Sequence, residues 1–334
     1  MTGIIATLGP KTSNKEMITD LHQAGVDIFR LNFAHETIQS WIKAVNIIRN
    51  IEKKLWQKIR ILMDVEWPGI RTGVLIESIS YVAGEQFKIF TTQNISEKKS
   101  LFCDYPSLPD DVKIGSIVKI DAGLFQVQVL GKWTDFISVQ ALNDFVVGSR
   151  RHINLPGIHV KLPSFTDKDK QDVLFAIQEK LDYVALSFVR SAADMRELRA
   201  FLDLHGGKKI QTVAKIENEE GLKNISAIAK ESDIIMVARG DLGTELPVEN
   251  IPIYQMDIIN ATKQQNKKVI VATEMLESML HSATPKRADI SDIFYAVIEG
   301  ADYVMLSGET AVGEYPVECV KVMNKVILAA EKYK

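Results

Sequence analysis

Lys215 and Glu217 stand two residues apart at the end of the apolar run IQTVAKIE (210–217). In an extended strand, residues i and i+2 face the same side, so this amine and this carboxylate project together. A further acid, Asp241, follows the run IIMVARG (234–240). A lysine between two acids suits a hard divalent cation, Mg²⁺ or Mn²⁺. Such an ion takes one or two carboxylates and completes its shell with water and substrate oxygens. The lysine can neutralise charge growing on a substrate oxygen or on a transferring phosphoryl group. A plain Lys–Glu ion pair would use the same residues.

Other apolar runs end in the same manner. Arg30 and Asn32 lie in IFRLNF (28–33), Asp64 in RILMDV (60–65), Thr273 and Glu274 in KVIVATE (268–274), Ser307 and Glu309 in YVMLSGE (303–309), and Arg239 closes the sixth. Any one alone only starts a solvated loop. Gathered at one end of a sheet or barrel, they read as a converging site. Gly240 and Asp241 could also offer backbone N–H groups to an anion where a helix begins.

The elements that must position these residues are short apolar runs alternating with amphipathic segments. GIIATLG (3–9) and YVALSFV (183–189) complete a set of eight. Near-continuous apolar runs suit strands buried on both faces. NKEMITDLHQAG and SDIFYAVIEGAD have helical spacing, with glycine where a helix can end. Eight strand–helix units predict an α/β (β/α)₈ barrel, and an open doubly wound sheet has the same local signals. From 72 to 159 the texture changes to short alternating segments such as SIVKIDAGLFQVQVLG, which predict a small antiparallel β domain inserted after the third strand. Residues 1–71 and 160–334 then form the barrel. The insertion leaves from the face where barrel active sites lie, so a lid role is natural, although a decorative insertion would read the same.

Composition narrows the class. The chain has 334 residues, 46% hydrophobic and 25% charged, with net charge −3. No Lys/Arg-rich block offers nucleic acid a footprint. Two distant cysteines, Cys103 and Cys319, argue against a disulfide framework and for a reducing, cytoplasmic setting. No signal-peptide layout opens the chain, and no apolar run approaches the roughly 18 residues of a membrane span.

Several collinear motifs then identify a family. TLGPKT, RLNFAHE, NLPG, KIENEEG, MVARGDLG, ATEMLESM, PKRADISD and MLSGETAVGEYP resemble those of pyruvate kinase in order and spacing. The resemblance implies a barrel with an inserted β-barrel lid and phosphoryl transfer from phosphoenolpyruvate to ADP through a pyruvate enolate. By matching position, it implies Mg²⁺ on Glu217 and Asp241, with Lys215 stabilising the transfer. It places Thr273 near the carbon that is protonated, Arg30 on the phosphate, and the backbone around Gly240 and Asp241 on the substrate carboxylate. Arg71, His35, Asn32 and Pro10 match the side that takes ADP or ATP. It also implies a homodimer or homotetramer through the barrel. The family usually has a further C-terminal domain, and the end at Lys334 leads to the expectation that this domain and its regulation are absent.

Departures cluster on one side. The family's Asp-Thr-Lys-Gly-Pro-Glu-Ile-Arg is here Asp64-Val65-Glu66-Trp67-Pro68-Gly69-Ile70-Arg71. Its potassium ligands fall on Asn32, Ala34, Asp64 and Val65, and the alanine removes one oxygen. Glu66 replaces a lysine near the expected nucleotide phosphates. At ~4 Å and an effective dielectric of ~20, a carboxylate facing a phosphate charge costs about 4 kcal/mol before screening. A tyrosine has become Ser40, a glycine Glu36 and a lysine Val312. The lid's Asp-Asp-Gly reads Asp121-Ala122-Gly123, while its basic pair is kept as Arg150 and Arg151. Besides a phosphotransferase with ADP or an altered acceptor, this pattern accommodates a Mg²⁺-dependent lyase working through the same enolate, or a non-catalytic binding or regulatory protein.

Overall fold

The computed structural model describes residues 1–34, 36–67, 69–93 and 99–334. Eight parallel strands close into a barrel: β1 Gly3–Leu8, β2 Ile28–Asn32, β3 Arg60–Asp64, β4 Tyr183–Leu186, β5 Gln211–Ile216, β6 Ile234–Ala238, β7 Lys268–Ala272 and β8 Tyr303–Leu306. β8 pairs with β1, which distinguishes the barrel from an open sheet.

Helices wrap the strands and end where local chemistry stops them. Asn14 caps Lys15–Ala24, accepting from the Met17 N–H, and Gly25 terminates it at φ 119°. Gly300, at φ 112°, ends Arg287–Glu299 in the same way. That conformation costs an L side chain about 1–2 kcal/mol and glycine almost nothing.

The alternation of side chains within each strand divides the barrel into two cores. Ile61 and Met63 of β3, Phe29 and Leu31 of β2, and Ala214 and Ile216 of β5 point outward to the helices. Ile28, Leu62, Ala185, Val213, Met236 and Ile270 point inward and fill the barrel. The same parity sends Arg30, Asp64 and Lys215 inward, one step above this apolar floor. Register places them side by side: Arg30 is opposite Thr7 of β1, and Asp64 is opposite both Asn32 and Ala185.

The chain leaves the barrel after β3 and builds a separate β unit with its own apolar core, including Tyr81, Phe87, Phe125 and Val139. Its six-stranded sheet runs, in spatial order, Ile153–Asn154, Ile117–Ile120, Phe125–Lys132, Phe136–Ala141, Gln86–Phe90 and Leu101–Phe102. A two-stranded sheet pairs Phe145–Val147 with Ile79–Tyr81. The pairs are antiparallel except at one edge, where Gln86–Phe90 and Leu101–Phe102 run parallel. That edge pair is only two residues deep, so the direction of chain exit decides it rather than side-chain patterning. No helix among the described residues is long and apolar enough to cross a membrane.

Candidate active site

Above the apolar floor, the inward-facing polar side chains form one buried network. Lys215 is 8% exposed and lies 3.0 Å from Glu217 Oε1, 3.1 Å from Asp64 Oδ1 and 2.9 Å from Ser187 Oγ. Asp64, 1% exposed, accepts from Arg30 Nε at 2.7 Å, and Arg30 Nη1 donates to Thr7 Oγ1 at 3.0 Å. Glu217 Oε2 accepts the Phe188 N–H at 2.6 Å. Phe188 adopts φ 50° to present that N–H, a conformation rare for a bulky residue.

Electrostatics follow from this enclosure. The Lys215 ammonium opposes its own burial and, facing Asp64 and Glu217, stays protonated well above the usual lysine range. Burial pushes the Asp64 carboxyl up, but Lys215 and Arg30 overcome it, and the net direction is down. Glu217 moves the other way: burial and nearby Asp241 outweigh Lys215 and raise it to about 7. An acid held with too little positive charge is one that a metal ion would stabilise.

The donors fit Mg²⁺. Glu217 Oε1 is buried and, although close to Lys215, has no aligned hydrogen bond. The Asp241 carboxylate has no partner among the described residues and opens on the same cleft. No cluster of three or more His, Cys, Asp or Glu suited to a metal occurs among the described residues. Two carboxylates with room for water and substrate suit Mg²⁺ better than a full protein cage would.

Most of the donors expected for potassium already have partners. Asn32 Oδ1 accepts the Ala34 N–H at 3.2 Å, the Val65 carbonyl accepts from Ser187 Oγ at 2.8 Å, and Asp64 serves Arg30 and Lys215. Asp64 Oδ1 has no aligned hydrogen bond, and the methyl of Ala34 supplies no oxygen, so the set is one ligand short for a potassium ion.

The cleft holds about 390 Å³ and brings together Arg30, Asn32, Asp64, Val65, Arg71, Lys215, Glu217 and Asp241. Thr273 and Gly240 are bonded to one another beside it, with the Gly240 N–H donating to Thr273 Oγ1 at 2.8 Å. That N–H is therefore not free for an anion, contrary to the expectation of a backbone cradle there. Thr273 has φ 72°, unusual for a β-branched residue, and Arg239 donates to its carbonyl. Pro10 is exposed after β1 and does not line the cleft. His35 lies outside the described residues.

Three expected rim residues work elsewhere. Arg239 opens the helix Arg239–Glu245 beyond the end of β6, and there it grips both oxygens of Asp292 at 2.6 and 2.7 Å. Glu309 is 1% exposed and accepts backbone N–H groups from Leu276 and Ser307. Glu274 is exposed, beyond the left-handed break at Thr273.

The altered loop after β3 forms the opposite wall. Glu66 pairs with Lys168 and lies 3.6 Å from Arg71. Trp67 stacks on Phe188 with ring centroids 4.0 Å apart and meets His152 edge-on at 5.6 Å. A Cβ on Gly69 would lie 2.3 Å from His152 Nε2, so glycine here makes room for the imidazole. The inserted unit also reaches down: Lys119 Nζ donates to the Thr244 carbonyl at 2.6 Å, and Asn154 Nδ2 to Glu245 Oε1 at 2.7 Å. Sequence reasoning missed Ser187, Phe188, His152 and Asn154. Ser187 alone carried a signal, since it continues the inward parity of β4.

Comparison with known proteins agrees with this architecture. The model of the pyruvate kinase barrel domain matches residues 1–320. Pyruvate kinases of Sporosarcina psychrophila and Geobacillus stearothermophilus are each 39% identical over 99% of this chain. A crystal structure of a pyruvate kinase from Cryptosporidium parvum superposes with a TM-score of 0.95 at 41% identity, covering 99% of this chain and 69% of its own. The fold is that of a pyruvate kinase barrel domain with an inserted β unit. The chain belongs to the pyruvate kinase family. It spans 57% of the length of those two bacterial relatives.

Proposed function

We propose that this chain carries a Mg²⁺-dependent phosphotransferase site acting on phosphoenolpyruvate and pyruvate, with ADP or a modified acceptor on the other side. The observation that carries this reading is the buried Lys215, enclosed by Asp64, Glu217 and Ser187, beside Asp241, which has no partner among the described residues. Glu217 and Asp241 would hold the metal, which supplies a Lewis acid for substrate oxygens. Lys215 keeps its charge and stabilises the negative charge that develops as the phosphoryl group leaves. Arg30, fixed by Asp64 and Thr7, presents its remaining N–H groups to the phosphate. Thr273 Oγ1, held in a strained turn, would orient the proton delivered to the enolate carbon after releasing its bond to the Ala272 carbonyl. Arg71 and Arg150 stand on the acceptor side, and the inserted unit acts as a lid that excludes water.

The test is pyruvate formation from phosphoenolpyruvate with Mg²⁺, with and without ADP. Turnover that needs both supports the reading. Oxaloacetate decarboxylation or hydroxy-keto acid cleavage without any phosphoryl acceptor would replace it with a lyase. A folded protein that binds Mg²⁺ and oxalate yet turns over none of these would make it a binding protein.

A further inference from the structure

Behind Trp67 and Phe188 lies a second cavity of about 330 Å³, walled by the segment through which the inserted unit returns to the barrel. Ile153, Leu155, Ile158 and Val160 supply its apolar side. Cavities of about 300–1,000 Å³ with such walls and a few converging polar groups are the usual form of small-molecule sites. The phosphoryl-transfer reading uses none of this cavity, although Trp67, Phe188 and Asn154 line both spaces.

The charged groups around it select a ligand class. Arg190 is committed to the carbonyls of Val160 and Leu162 and to Ser164 Oγ. Lys223 pairs with Glu219 at 2.6 Å, and His159 with Glu220 at 2.8 Å. Glu245 differs, because it lines the cavity with only the Asn154 amide on Oε1 and no cation paired with it among the described residues. Its half-buried carboxyl is raised to about 6 by desolvation, which outweighs the Asn154 amide and the more distant charge of Lys119, and it is therefore ionised above neutral pH. A half-buried carboxylate with no directly paired cation is costly, and a ligand that brings one relieves that cost. Three carboxylates against Lys223 and Arg190 leave the lining net negative, which disfavours an anionic ligand, and a neutral ligand leaves Glu245 unpaired.

We propose that this hinge cavity binds a small organic cation, a primary ammonium on an aromatic or branched aliphatic body, with the ammonium on Glu245 and the body against Trp67, Leu155 and Ile158. The probe is benzylamine at pH 8, followed by ligand-observed NMR and calorimetry, with benzyl alcohol and phenylacetate as neutral and anionic counterparts. The wild-type chain is expected to bind benzylamine saturably and at least tenfold more tightly than either counterpart. Glu245→Gln is expected to erase that preference, and Ile158→Trp, which fills the cavity from its half-buried rim, to abolish binding while the melting temperature is retained. Equal affinity for all three probes, no saturable binding, or unchanged benzylamine affinity in Glu245→Gln would overturn the proposal. Should Glu245→Gln fail to fold, Ile158→Trp decides: lost benzylamine binding supports the site, and retained binding overturns it.

Discussion

Two walls face the same cleft and are held by different physics. On the barrel side, Arg30, Asp64, Lys215 and Glu217 are buried, interlocked and placed by strand parity. On the other, Glu66, Trp67 and Gly69 sit on a loop between barrel and insertion. There Glu66 reaches two cations, one of them exposed, and Trp67 makes aromatic contacts. A change in the buried layer orphans its neighbours, so the layer persists as a set. A change on the loop is absorbed by whatever lies near, as Lys168 and Arg71 absorb the carboxylate of Glu66. The loop therefore tolerates residues that the buried layer would not.

The comparison can be broken most severely at Lys215. Lys215→Met leaves Asp64 and Glu217 buried without their shared cation, and breaking such a set costs about 3–5 kcal/mol. Urea unfolding is expected to show that loss together with abolished turnover. A loss under about 1 kcal/mol would mean that the layer is not coupled. Next comes Gly69→Ala, whose Cβ would meet His152; overpacking of this kind costs about 1–3 kcal/mol. Combined with His152→Gly, most of that cost should vanish, and strict additivity in the cycle would show that the two positions do not share space.

Glu66→Lys tests how tolerant the loop is. Its exposed partner limits the stability change to about 1 kcal/mol. Removing a like charge from the phosphate approach should tighten ADP binding by about fivefold, as read by calorimetry. Weaker ADP binding would show that Glu66 does not face the acceptor.

The smallest effect is the pH response of His152. Burial holds its pKa below the ordinary 6.5, against the opposing pull of Asp241, so the folded chain prefers the neutral ring. As pH falls below about 6.5 the unfolded chain takes up this proton first, and stability declines. His152→Gln should remove that part of the decline in melting temperature between pH 7 and 5, and an unchanged slope would exclude His152 as its source.

Much of the barrel was legible because its signals are local. The eight apolar runs, the glycines that end helices and the two-residue spacing of Lys215 and Glu217 need only a few neighbouring residues to be read. Rim assignments at Arg239 and Glu309 went astray where sequence position stood in for direction. Arg239 opens a helix after β6, and Glu309 lies in the short helix Gly308–Ala311 beyond β8, so strand parity applies to neither. The roles of Ser187 and Phe188 depend on partners 28 and 29 residues away in the chain.

By itself the sequence determined the strand-and-helix order and where the texture changes to the inserted β unit, because propensity, periodicity and motif order are properties of short stretches. Tertiary structure alone decided which polar ends share a network, that Glu66 is neutralised by Lys168, that Trp67 lies on Phe188, and that Gly69 is small for the sake of His152. Those outcomes depend on distances between residues far apart in the chain, and barrel closure and the insertion's return set those distances.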